Sequence, residues 1–306
     1  MDRWKFIRPL FFKAKRFVCF VVIIGILGFL SLFFYSGTSE KSEELLFLEN
    51  VMIREGGLYV LMGSKPMVSF DVRSGAPETI EEYQKHLEYV KIKYPEDRIE
   101  TFEEYRMFHK LDKHIQYSEL WENWQIKMKN YVGPHFQFIT RRYPFGETLS
   151  ERRNIEGLFI NNCSLLYVLT THYSEFEKVF GMPFEPEKVL KEISDLNSTF
   201  WQCAFCNQYT QGLLFGYGSR NSFNFSWQIK NDYPFPIRYF QDIVPLSKKE
   251  VKVSDLRLPG ISLCFLGDPA LESYKLQRKE ILKEFKNKDF ENIVKLWLRS
   301  GMEIPQ

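Results

Sequence analysis

The sequence has none of the short signatures that announce a chemistry. No Gly-x-Ser-x-Gly presents a nucleophilic serine, no Gly-x-x-x-x-Gly-Lys-[Ser/Thr] cradles a phosphate, and no Asp-x-Asp holds a metal and nucleotide together. The five histidines are scattered. His109 and His114 would lie about 140° apart on a helix, so they cannot share the ligand face that an i, i+4 pair provides. No metal site and no cofactor is expected. Internal repeats and low-complexity stretches are also missing, and with 44% hydrophobic and 17% aromatic residues the chain can bury a real core.

Long hydrophobic runs are absent with one exception. Residues 17–35, FVCFVVIIGILGFLSLFFY, contain no charge and no strongly polar side chain. At 1.5 Å per residue such a helix covers roughly 28 Å, close to the hydrocarbon thickness of a bilayer. Arg3, Lys5, Arg8, Lys13, Lys15 and Arg16 precede the run against the single acid Asp2, and Glu40, Lys41, Glu43 and Glu44 follow it. That bias predicts a cytoplasmic stub at 1–16, a transmembrane helix at 17–35, a polar spacer at 36–44 and a globular ectodomain at 45–306 across the membrane. A cleaved signal peptide is the competing reading, but the apolar run is longer than the usual signal core and its exit, Phe33-Phe34-Tyr35-Ser36, offers poor small-residue pairs, leaving Gly37-Thr38-Ser39 as the one tolerable cleavage site. Trp4, Phe6, Phe11 and Phe12 suit the headgroup layer, and Cys19, with no lipobox, is read as one more apolar residue facing lipid. The lipid bilayer is thus the one partner that the sequence itself specifies.

Net charge of one sign is also lacking. The 41 Lys and Arg nearly balance the 39 Asp and Glu. With six of the bases and one of the acids in the stub, the ectodomain carries about −3, which gives no reason to expect a nucleic-acid partner. Cysteine is scarce: Cys19, Cys163, Cys203, Cys206 and Cys264. Four fall on the translocated side, where three disulfide pairings are open and none is implied.

The pattern of the ectodomain predicts an α+β class, mostly helical with a small antiparallel sheet. Residues 45–51 fit either a first helical turn or a strand. Residues 57–72 read as a hairpin turning at Gly63-Ser-Lys-Pro66. Pro77, with Glu78, Glu81 and Glu82 behind it, opens a helix, and Thr101 with Glu104 forms a capping-box pattern ahead of a long helix to about residue 131. Residues 135–143 and 157–161 are expected strands that pair with the hairpin. Helices are expected at 162–180 with Asn162 as cap and Gly181 as stop, from Pro186 to about residue 195, and at 200–215 as the central buried helix, capped by Asn197 or Ser198. Residues 221–229 fit a helix or a strand and 258–266 a buried strand. Two helices close the chain at 270–286 and 290–300.

Two clusters are candidate sites, each set against a plainer account. Cys203-Ala-Phe-Cys206 beside Trp201 has the spacing of a thiol-disulfide enzyme, yet it falls within a helix with no strand before it, so two small apolar residues in a core helix is the preferred reading. Gly212-Leu-Leu-Phe-Gly216-Tyr-Gly218-Ser-Arg-Asn221 has the glycines of a phosphate loop without the strand-then-helix order. Arg220 and Asn221 would be ligand contacts only if they shared a concave pocket with the Gly63 turn. Asn162, Asn197 and Asn224 open glycosylation sequons, all in segments read as structured or buried, which makes chance the better account.

The segments Tyr59-Val-Leu-Met-Gly63-Ser-Lys-Pro66-Met and Gly212 to Asn221 resemble those of uncharacterised, membrane-anchored proteins of chlamydiae and related obligate intracellular bacteria, through short matches scattered over the ectodomain. The resemblance implies a bacterial inner membrane with the N-terminus cytoplasmic and the main domain periplasmic, and it brings no catalytic residue. Host-inserted membrane proteins of such bacteria usually carry a paired, bilobed hydrophobic region; a single span argues against that placement. The function expected is a binding or scaffolding role toward an envelope protein or a small ligand. The alternative is an anchored enzyme, either a thiol-disulfide oxidoreductase using Cys203 and Cys206 or a transferase of unknown type.

Overall fold

Three strands with apolar residues on both faces organise the domain. The computed structural model describes residues 41–73, 79–93, 101–104, 111–128, 131–142, 155–231, 238–239, 251–259, 262–263 and 268–301. The apolar run at 17–35 lies outside the described residues, and among those described no helix is long and apolar enough to cross a membrane. The fold takes up with α1 (Glu43–Leu48), which passes into a π-helical turn (Glu49–Arg54) and α2 (Leu58–Met62). Then come β1 (Met67–Arg73), α3 (Ile80–Lys93), α4 (Leu111–Met128), β2 (Phe136–Arg142) and β3 (Ile155–Asn161). A helical stretch follows: α5 (Asn162–Thr171), α6 (Tyr173–Phe180), α7 (Pro186–Lys191), α8 (Thr199–Cys206), α9 (Gln208–Leu214) and α10 (Gly218–Asn231). A two-residue strand pair, β4 (Arg238–Tyr239) with β5 (Ser262–Leu263), precedes α11 (Pro269–Glu284) and α12 (Phe290–Ser300). The domain is α+β, mostly helical, with a small antiparallel sheet ordered β1-β3-β2.

Side chains alternate across a strand, so β3 at the centre sends Phe159 to one face and Leu158 and Ile160 to the other. On the first face Val68, Phe70, Phe136 and Phe159 join Phe47 of α1 and Trp121 and Trp124 of α4 in one buried cluster. Phe138 stacks on Phe159 at 4.5 Å between ring centroids, and Phe47 stacks on Trp124 at the same distance. On the second face Met67, Leu158 and Ile160 pack with Leu165, Phe176, Trp201 and Leu214 of the helices that follow β3. A sheet covered on both faces explains why β3 reads as a nearly continuous apolar run. Gly157 makes the first face possible: a Cβ there would stand 2.2 Å from the ring of Phe70, its partner across β1.

Chain ends meet in the first cluster. Leu58, Tyr59 and Leu61 are buried with Tyr274, Ile281, Val294 and Leu298 of the last two helices, and Lys295 Nζ bridges Glu44 at 2.6 Å and Glu291 at 2.7 Å.

Several local expectations change for identifiable reasons. The first arm of the expected hairpin is helical, because Leu58, Tyr59, Val60 and Leu61 are all buried and a short apolar run has no period to separate strand from helix. The expected helix 162–180 breaks at His172, and Asn161 rather than Asn162 caps it by accepting from the Ser164 amide. The expected helix 200–215 is two helices, since Asn207 leaves the helical conformation and accepts from the amides of Tyr209 and Thr210 to start α9. Residues 221–229 are helical, within α10. Thr101 and Glu104 make both bonds of the capping box, and Ser198 caps α8. Of the strand expected at 258–266, Ser262 and Leu263 are extended, and 260–261 and 264–266 lie outside the described residues. Asn197 is exposed, contrary to expectation, whereas Asn162 and Asn224 are half-buried.

Candidate functional site

At one end of the sheet the apolar rows give way to charge. Asp71 of β1 is registered with Glu156 of β3, which is registered with Arg141 of β2, so the three stand side by side across the strands. Alternation puts them on the face of Leu158 and Ile160, beyond the edge of the second core. Ser69, two residues before Asp71, hydrogen-bonds Glu156 through its side chain. The Arg141 guanidinium lies 3.6 Å over the ring of Phe205, which ties the row to α8.

Glu55 and Lys65 complete the cluster. Glu55 directly follows the π-helical turn, its amide donating to the Asn50 carbonyl at 3.1 Å. A carboxylate gains nothing from the helix dipole at a C-terminus. Lys65 sits between Gly63-Ser64 and Pro66, only 4% exposed, with Nζ 5.8 Å from the centre of the Tyr217 ring. Gly216 brings that loop in: its φ of 75° is left-handed, and a Cβ would stand 2.5 Å from the Tyr274 hydroxyl and 3.0 Å from Pro66 Cδ. Tyr274 donates to the Gly216 carbonyl at 2.8 Å. The π-helical turn, the 63–66 link, the sheet end and the 216–218 loop thus converge.

Both groups are displaced toward neutrality. Loss of hydration raises the Glu55 carboxyl to about 7; Asp71 adds to the effect, and Lys65 and Arg54 oppose it. Loss of hydration lowers the Lys65 ammonium to about 8, against the pull of Glu55. As a residue Glu55 nonetheless keeps an exposed surface. The Glu156 carboxyl is likewise pushed up by burial, against Ser69 and Arg141. Burial raises the Tyr217 and Tyr274 phenols as well, which keeps them neutral. Asp71 and Glu55 are both exposed while Lys65 is buried, so acid lies at the surface and the cation beneath it. Perturbed groups gathered in one place mark a candidate site.

The residues singled out in the sequence lie elsewhere. Cys203 is half-buried and Cys206 exposed, both as free thiols in α8, and Cys163 is free too. Cys206 is the last residue of its helix, the end that disfavours a thiolate, and burial raises its thiol despite Arg141. An activated redox cysteine needs the opposite shift. Asn221 is buried, its amide donating to the Tyr217 carbonyl at 3.0 Å, which makes it a support of the loop. Arg220 is exposed on α10. The Gly63 link and the Gly216 loop come together through Lys65 and Tyr217. His109 and the side chain of His114 lie outside the described residues, and among those described no group of three His, Cys, Asp or Glu could hold a metal ion.

Glu55, Lys65, Asp71, Glu156 and Arg141 form no linear motif. Their signal was a charged residue near the same end of each of three apolar strands, in MVSFDVR, IEGLFIN and FQFITRR. Reading it required the register. Compared with protein-family models, with curated proteins and with solved structures, the chain matches none.

Proposed function

We propose that the protein is a single-pass, membrane-tethered binding or scaffolding protein of a bacterial envelope. Residues 17–35 hold it in the inner membrane, and the domain that begins near Glu43 stands on the periplasmic side. Its binding site is the recess of Glu55, Lys65, Asp71, Glu156 and Arg141. The observation that carries the reading is the exposed pair Glu55 and Asp71 beside a buried lysine. A ligand entering there meets two carboxylates first, so an amine or guanidinium group is the chemistry that it receives. Such a cation replaces the proton that Glu55 otherwise holds near neutrality.

The tether and the recess are tested separately. The full chain is expected to stay with membranes through alkaline carbonate, to leave them only in detergent, and to retain Met1. Release by carbonate, or a mature chain beginning beyond Ser39, contradicts the tether. n-Butylammonium is expected to bind the purified protein at pH 7.5 and to bind Glu55→Gln about tenfold more weakly, roughly the loss of one charge-assisted contact. Equal binding by the two contradicts the recess. A second reading, an anchored enzyme working by acid and base, is favoured by Glu55 and Lys65 both titrating near neutrality.

A further inference from the structure

The stretch between α7 and α8 is held from below and bare on top. Ile193 is buried in the second core and Ser198 is buried as the cap of α8, while residues 194–197 between them are exposed. Asp195 Oδ1 accepts from the Asn197 backbone amide at 2.9 Å, the Asp195 carbonyl accepts from the Ser198 amide at 3.1 Å, and the Gln202 side chain donates to the Leu196 carbonyl at 3.0 Å. The backbone of the tip is thus fixed. The Asn197 side-chain amide, by contrast, has no hydrogen-bond partner among the described residues.

Asn197, Ser198 and Thr199 spell the acceptor sequon for an N-linked glycan, which a transferase takes from a surface loop. The enzyme must meet the asparagine amide and the hydroxyl two residues on from one side. Ser198 is extended, with φ −61° and ψ 113°, and the side chains flanking an extended residue share a face. Asn197 and Thr199 are accordingly both exposed, with Ser198 buried between them. A cleft of about 470 Å³ that both residues help to line gives a sugar room there. The other two sequons lack this geometry. Asn162 donates to the Pro134 carbonyl at 2.7 Å and accepts from the Gln137 side chain at 2.6 Å, so its amide is engaged at both atoms. Asn224 and Ser226 lie inside α10, where residues two apart stand about 200° apart around the axis, and Ser226 is buried.

We propose that Asn197 is an N-glycosylation site, modified on the periplasmic side by a membrane oligosaccharyltransferase that draws on a polyprenyl-diphosphate-linked oligosaccharide. Asn197 Nδ2 attacks C1 of the first sugar, and a C–N bond forms as the C–O bond to the diphosphate breaks. The polyprenyl diphosphate leaves with the bonding pair, and the amide proton passes to a base of the transferase. Asp195 sets an exposed carboxylate two residues ahead of the acceptor, a charge by which a transferase can register the site. Asn197 belongs to neither core, so the glycan disturbs neither. The inference rests on the periplasmic placement of the domain, and not on the Glu55 recess.

The test uses the full chain, made in bacterial cells that carry an oligosaccharyltransferase with its lipid-linked oligosaccharide and that glycosylate a secreted control protein. A second form has Asp-Leu-Asn-Ser-Thr appended on a flexible linker after Gln306, as a reporter of placement. Intact mass and peptide mapping are the readouts. The full chain is expected to gain the mass of one oligosaccharide, at Asn197, and the appended form the mass of two. Asn197→Gln and Thr199→Ala each lose the glycan at this site, and Thr199→Ser, which keeps the hydroxyl, retains it. Asn162→Gln and Asn224→Gln leave the mass gain unchanged. A glycan on the appended tail with none at Asn197, a glycan at Asn162 or Asn224 instead, or a mass gain that survives Asn197→Gln overturns the site and leaves the placement standing. Chains with neither acceptor modified, in cells where the control is glycosylated, overturn the placement and the site with it.

Discussion

Alanine at Phe159 is expected to lower stability by about 3–5 kcal/mol, and alanine at its neighbour Leu158 by about 2–5 kcal/mol. Both side chains are fully buried, but in different cores. Phe159 stacks on Phe138 and abuts Phe136, and its loss opens a hole on the side of α1 and α4. Leu158 fills the side of α5 to α9. In a sheet with one wet face only one of two consecutive residues can be costly, since a one-residue step changes face. Denaturant unfolding of the two variants reads this directly. Two large losses confirm a sheet buried on both sides; a Leu158→Ala variant within about 0.5 kcal/mol of the parent, the usual range for a surface position, contradicts it.

Methionine at Lys65 is expected to raise stability at pH 7, by about 1–3 kcal/mol, the range found when buried charges give way to apolar side chains. The sign follows from the direction of each displacement. Glu55 holds its proton more tightly folded than unfolded, so its contribution is lost as pH rises from about 4.5 to about 7. Lys65 gives up its proton more readily folded than unfolded, so below about 8 the fold carries the cost of charging it, and stability recovers as pH rises toward 10.5. The pair therefore contributes least between about 7 and 8. In Lys65→Met the recovery above pH 8 disappears, and the Glu55 carboxyl rises further because Lys65 no longer opposes its neutral form. Glu55→Gln removes the acid-side loss instead. Chemical unfolding across pH 4 to 11 separates these limbs. A Lys65→Met protein that is less stable than the parent at pH 7 would show that the ammonium is well paired and not strained.

The split between what could and could not be read from the residues follows from the range of the forces. β2 is legible because its alternation is local and β3 because its apolar run is, and α11 and α12 because their apolar stripes lie close together in sequence. The helical state of Leu58–Met62 is not, since it depends on α11 and α12 arriving from more than 200 residues away to help bury Leu58, Tyr59, Val60 and Leu61. The capping role of Asn207 is not legible in the residues, since it shows only in the conformation that Asn207 adopts. The recess was invisible for the same reason: Asp71, Glu156 and Arg141 become neighbours through strand register, and Lys65 meets Tyr217 through a loop more than 150 residues further on. Cys203 and Cys206 read as core residues of a buried helix, but Cys206 ends α8 and is exposed, a placement that spacing alone does not reveal.

The recess rests most directly on the state of one carboxyl group. With ¹³C-labelled glutamate and Glu55→Gln to assign the resonance, an NMR titration is expected to show Glu55 changing charge near pH 7 and shifting downward when n-butylammonium is present. A midpoint near 4.5, unmoved by the amine, would mean an ordinary solvated side chain, and the site would lose its foundation.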